Sequence, residues 1–166
     1  MAYIVPKNEM AFEYIVKVRD ESVKLLKSLI QTRGKSPDGY IIRDILPKTD
    51  LGLANEEWKI SYTSAYTWET KIEKELEDDK FIVIYGYQNN SAVPKTTAIK
   101  FFVDVRPIEV IEVENLYTYM EPIGFFTPMG WSEGEKIRVD FLGNSTGDDY
   151  VVFRGFVAER KSKTIV

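Results

Sequence analysis

The Gly147-Asp148-Asp149 triplet, with Asp140 and Asn144 close before it, has the makings of a calcium site. Calcium takes clustered oxygen ligands, and a loop between strands can supply them. The spacing matches no helix–loop–helix calcium motif, however. The run Gly143-Asn144-Ser145-Thr146-Gly147-Asp148 also has the residues a strand connection needs for its turn geometry. The turn reading is preferred, and no metal is expected. A second possible chemistry is glycoside hydrolysis by paired carboxylates. Glu69, Glu73, Glu75 and Glu77 are spaced to line an exposed strand face, and Glu109, Glu112 and Glu114 are similar. No acid is isolated within an apolar run, the context that would mark a general acid. The 166-residue chain contains no His and no Cys. Imidazole bases, the usual catalytic triads, thiolate zinc sites, iron–sulfur clusters and disulfides are therefore excluded. Neither GxGxxG nor GxxxxGK[ST] occurs, so no phosphate loop of those types is present. The expectation is a non-enzymatic chain without a cofactor.

Aromatic residues offer more. Tyr, Phe and Trp number 10, 9 and 3. Exposed rings can stack on sugars, which makes a carbohydrate-binding module the alternative function. They can also anchor protein interfaces, while most rings fill the core. Phe125, Phe126 and Trp131 flank the apparent turn Thr127-Pro128-Met129-Gly130, where apolar groups are expected to be exposed. The basic C-terminal run from Arg160 to Val166 ends in Thr164-Ile165-Val166 and could add a strand to a neighbour's sheet edge.

The elements that must position these residues are mostly strands. The β-favouring types Val, Ile, Thr, Tyr, Phe and Trp total 64, against 16 for Leu and Ala. One helix is predicted from about Glu9 to Arg33. Phe12, Ile15, Val16, Val23, Leu26, Leu29 and Ile30 form its apolar stripe, and Gly34 suits its stop. Phe12, Tyr14, Val16 and Val18 also alternate, which leaves a short strand before a helix as the other reading. Residues 35–55 read as a long extended connection with turn signals at Ser36-Pro37-Asp38-Gly39 and Thr49-Asp50-Leu51-Gly52. Its apolar Ile41, Ile42, Ile45, Leu46, Leu51 and Leu53 must lie against something, either its own sheet or a neighbouring subunit.

From Trp58 the apolar residues Trp58, Ile60, Tyr62, Tyr66, Trp68, Ile72 and Leu76 fall at even positions, a half-buried strand pattern. The spacing of Trp68, Ile72 and Leu76 also suits a helix. Lys80–Tyr87 is apolar on both faces and belongs in the middle of a sheet. Further strands are predicted near Thr96–Asp104, Ile108–Glu114, Ile123–Phe126, Glu135–Leu142 and Asp149–Glu159, with turns at Gln88-Asn89-Asn90-Ser91 and Arg106-Pro107. The fold class expected is mainly β: an antiparallel β-sandwich, jelly-roll-like, with an N-terminal α-helix. Residues 1–55 form a helical arm with its connection, and residues 56–166 form the sandwich.

The formal charge of −4 argues against nucleic acid as a partner. No stretch is apolar enough to span a bilayer, and the N-terminus lacks a signal-peptide pattern. With 16 Glu against 2 Gln, the composition leans towards that of thermophile proteins.

The segment Thr97-Ala98-Ile99-Lys100-Phe101-Phe102, continued through Gly147-Asp148-Asp149-Tyr150-Val151-Val152-Phe153-Arg154-Gly155-Phe156-Val157-Ala158-Glu159, resembles the jelly-roll-type structural proteins of virus particles. These are the capsid, decoration or vertex subunits of phages and archaeal viruses. The resemblance spans about residues 58–166 and brings no functional residue with it. It implies a subunit that coats or reinforces a shell and that partners itself or a shell protein. Its location would be the virion, or otherwise the cytoplasm. The interface residues expected on this reading are Phe12, Ile42, Leu46, Leu53, Phe125, Phe126, Trp131, Thr164, Ile165 and Val166.

Overall fold

A computed structural model describes residues 6–113 and 123–161. Helix α1 runs Pro6–Thr32 as one uninterrupted element. Gly34 stops it in the left-handed region at φ 76°, and the Lys35 N–H donates back to the Ile30 carbonyl at 3.3 Å. The helix buries Val18, Leu26 and Ile30, with Val23, Leu25 and Leu29 partly buried beside them. These residues pack on the sheet residues Phe81, Val83, Tyr85, Phe156 and Ala158. Gly130 lets the helix come close, since a Cβ there would lie 2.6 Å from Leu29 Cδ1.

Among the described residues ten strands follow a single pattern. They are β1 (Tyr40–Asp44), β2 (Ile60–Tyr62), β3 (Trp68–Glu75), β4 (Lys80–Asn89), β5 (Thr96–Val103), β6 (Arg106–Glu112), β7 (Ile123–Trp131), β8 (Lys136–Gly143), β9 (Gly147–Asp149) and β10 (Val151–Arg160). β1 pairs with β10, β2 with β9, β3 with β8, β4 with β7 and β5 with β6, all antiparallel. The chain is thus one long hairpin folded at the β5–β6 turn. Rolling the hairpin up adds the pairs β10–β4 and β8–β5. Two four-stranded sheets result, ordered β1-β10-β4-β7 and β3-β8-β5-β6, with β2-β9 as a small third ribbon. This is the winding of a jelly roll.

The core lies between the two large sheets, around Ile82, Ile84, Tyr87, Ile99, Phe101, Trp131, Val139, Phe141 and Phe153. β4 sits between β10 and β7, as its two apolar faces predict. Ile82 and Ile84 face the core, while Phe81, Val83 and Tyr85 face the helix. Along β10 the register passes from Gly155↔Ile84 to Arg154↔Gly86, so Tyr85 is an extra residue on β4. This bulge reverses the alternation and turns the odd-numbered Tyr87 into the core.

Four expectations are corrected. The connection over 35–55 is not simply extended. It holds a 3-10 turn (Pro37–Gly39), strand β1 and a short helix α2 (Pro47–Leu51), and its Ile42, Ile45, Leu51 and Leu53 pack on the chain's own two clusters while Leu46 is exposed. Thr127-Pro128-Met129-Gly130 is not a turn but part of β7, and Arg106-Pro107 opens β6, the turn falling one step earlier at Asp104-Val105. β6 and β7 are edge strands. An edge tolerates a residue without an N–H, so Pro107 and Pro128 do not break their strands. Gln88 and Asn89 likewise end β4 instead of forming a turn.

Candidate functional site

The helix covers the outer face of the first sheet, while the outer face of β3-β8-β5-β6 carries no such layer among the described residues. A bulge in β3 decides what that face presents. Thr70 pairs with Asp140 and Ile72 with Val139, so Lys71 is the extra residue. Ile72 points into the core, and Trp68 and Thr70 therefore point outward although all three numbers are even. The side chain of Trp68 is 42% exposed. It stands beside Leu142, which pairs in turn with Ala98 of β5. The next row is Thr70, Asp140, Lys100 and Val110, with Val110 49% exposed.

The polar groups of this face are tied together. Asp140 accepts from Thr70 Oγ1 at 2.6 Å and from Arg138 Nε and Nη2 at 3.1 and 2.9 Å. The carboxylate, by its hydrogen bond and its charge, raises the pKa of Arg138. The guanidinium also lies 4.3 Å over the ring of Phe102, and Lys100 Nζ approaches the same ring at 5.3 Å. Phe102 is thus buried although it stands on the outer face. The arrangement offers an aromatic ring beside an apolar ledge, bordered by fixed charges and hydroxyls.

The acids with candidate chemistry are engaged elsewhere. Asp149 is fully buried and accepts from Ser91 Oγ at 2.5 Å, Asn89 Nδ2 at 2.8 Å, and Thr96 N and Oγ1 at 2.9 and 2.6 Å. Asp148 accepts from Ser61 Oγ at 2.6 Å. Asp140 and Asp149 thus belong to separate hydrogen-bond sets. No group of three potential metal-ligating side chains occurs among the described residues. Glu69 accepts from Thr63 Oγ1 at 2.6 Å, and that bond, with backbone N–H groups and Lys71, holds its pKa down at about 2.

The expected interface residues divide. Leu46 is 41% exposed. Ile42 packs against the helix-side cluster, and Leu53 and Phe126 pack against the main core. Phe126 lies 5.9 Å from the Phe101 ring centre. Trp131, expected to be exposed, is wholly buried and donates its Nε1–H to the Phe102 carbonyl at 2.8 Å. Its burial follows from the strand that replaces the expected turn. Trp58 stands edge-on to Phe153 at 6.2 Å. Phe12 and Phe125 fall on α1 and β7, but their side chains lie outside the described residues, and so do Thr164, Ile165 and Val166. The reading by parity missed the outward Trp68. A local signal was the polar Thr70 at an even position between Trp68 and Ile72.

The strand pairing and the uncovered sheet define a class: a jelly-roll β-sandwich with a helix laid on one sheet. No protein-family model matches the chain, and no curated protein matches it. Among solved structures, dimeric latent PorU from Porphyromonas gingivalis is similar at a TM-score of 0.31 and 13% identity. That match covers 73% of this chain and 12% of the other, a likeness too slight to carry an argument. No described helix is long and apolar enough to cross a membrane.

Proposed function

We propose that this chain is a non-enzymatic assembly subunit that associates with copies of itself or with a shell protein, as a structural part of a virus particle or a similar homo-oligomeric shell. The jelly roll is a fold of capsid proteins, though it also serves lectins and other proteins, so it supports the class of object and not the role. The observation that carries the reading is the unequal treatment of the two sheets. One is covered by α1, while the other leaves Trp68 exposed beside Leu142 and Val110 exposed in the next row. A large aromatic on an apolar ledge with a charged border is the usual make-up of an interface anchor. Light scattering tests this: the expected result is a mass several times that of one chain, reduced towards one by Trp68→Ala combined with Val110→Lys. A monomer at all concentrations that binds no shell protein would defeat the proposal.

A second reading, carbohydrate binding, is favoured by the same exposed Trp68 ring on the outward face of β3 that also carries Thr70. It predicts a monomer whose tryptophan fluorescence responds to polysaccharide and loses that response in Trp68→Ala.

A further inference from the structure

The bulge at Tyr85 opens a cleft of about 180 Å³ between α1 and β10. Its lining includes Arg19, Asp44, Trp58, Tyr85, Phe153 and Arg154. At roughly 30 Å³ per water, it has room for a small polar group with a short tail. Two guanidinium groups therefore share one small cleft. Arg19 stands 5.5 Å over the Phe156 ring, and Arg154 Nη2 donates to Gln88 Oε1 at 2.6 Å.

Neither forms an ion pair with a described residue. By contrast Arg43 pairs with Asp50 and Glu159, Arg138 with Asp140, and Arg160 with Asp79. The fields of Arg19 and Arg154 both reach the Tyr85 hydroxyl. Burial pushes that pKa up, and the two cations oppose the push, while Asp44 adds to it. With Asp44 at the same cleft, the lining carries two positive charges and one negative. The balance is a single positive charge, suited to one monoanion and not to a dianion beside Asp44.

We propose that this cleft is a binding site for a singly charged carboxylate, gripped by Arg19 and Arg154 beside the half-buried Trp58. The inference is independent of the assembly reading. The carboxylate belongs either to a small free acid or to a side chain of another copy.

The test is a titration with sodium acetate at constant ionic strength, followed by amide NMR shifts of Arg154 and Gly155 and by the Trp58 indole signal. The expected result is a saturable change confined to these positions. It should weaken by about tenfold in Arg19→Gln/Arg154→Gln, since each lost charge-assisted bond is a strong one. Asp44→Asn should tighten binding by roughly threefold by removing a like charge. That gain cannot be mimicked by a variant that fails to fold. Absence of saturation, an unchanged response in the double variant, or tighter binding of inorganic phosphate than of acetate would overturn the proposal. If the same signals move on raising protein concentration without acetate, the carboxylate comes from a second copy; if they do not, it is a free acid. Both of these results sustain the site.

Discussion

Arg43 and Asp50 meet at two points, Nη1 to Oδ2 at 2.7 Å and Nη2 to Oδ1 at 2.9 Å. Asp50 is fully buried, and its carboxylate also takes the Leu46 N–H at 2.6 Å and Lys80 Nζ at 2.7 Å. Arg43 holds Glu159 as well, at 2.9 Å. One buried acid therefore joins β1, α2 and β4, with β10 attached through Arg43. Burial pushes the Asp50 pKa up, but Arg43, the Leu46 N–H and Lys80 together hold it below the ordinary value. Asp50→Ala would strand Arg43 and Lys80 without their shared partner. A loss of about 3–5 kcal/mol in urea unfolding is expected.

Together with Glu69, Asp79 contributes to the acid limb of stability. It accepts from Lys35 Nζ at 2.7 Å and from Tyr40 Oη at 2.7 Å, and these bonds hold its pKa at about 2. A carboxyl depressed on folding stabilises the native state above its unfolded value, about 3.9. That contribution disappears as pH falls through about 2. The melting temperature should therefore drop between about pH 4 and about pH 2, and Lys35→Met should flatten that limb.

Gly155→Ala should be among the most damaging single changes. A Cβ there would overlap the Val83 carbonyl oxygen and meet Ile45 Cδ1 at 2.6 Å. Val83 belongs to an inner strand that cannot retreat, so a cost of about 3 kcal/mol or more is expected by thermal or chemical unfolding.

Asp149→Ala should cost about 3 kcal/mol, since the donors of Ser91, Asn89 and Thr96 lose their acceptor in a buried place. The same geometry predicts that calcium leaves the melting temperature unchanged. A calcium-dependent rise would show that the Asp149 oxygens can be recruited away from these partners.

Trp131→Ala and Trp68→Ala form a matched pair. The first empties a fully buried site and removes the partner of the Phe102 carbonyl, for about 3–5 kcal/mol. The second removes a half-exposed ring and should change stability by no more than about 0.5 kcal/mol. Acrylamide quenching should fall in Trp68→Ala to what the partly buried Trp58 allows, and be retained in Trp131→Ala.

Much of this architecture is legible in local chemistry. The Val23–Ile30 part of the α1 stripe, the Gly34 stop, the two-faced Phe81–Tyr85 run and the predominance of strands all follow from spacing and residue type. Val16 of the expected stripe, by contrast, is exposed, and Val18 is buried in its stead. The candidate site was not legible in that way. Whether Trp68 faces water depends on Lys71 being skipped in the pairing of β3 with β8, and whether Tyr85 meets the two arginines depends on a skip between β4 and β10. A bulge is a property of two strands in register, and residues far apart in the chain set it. Pro107 and Pro128 are similar, because a proline breaks an inner strand and is harmless on an edge, and only the sheet order assigns edges.

The types of residue by themselves determined that this protein has neither imidazole nor thiol chemistry and that its body is sheet. They also favoured turn chemistry over a metal site around Asp149; in the structure the bend is confined to residues 144–146, Gly147–Asp149 is strand β9, and Ser91, Asn89 and Thr96 donate to the Asp149 carboxylate. Which aromatics are buried and which are offered outward was decided by tertiary structure alone. Trp131 goes in and Trp68 goes out because period-two alternation is local, while the register that interrupts it is not.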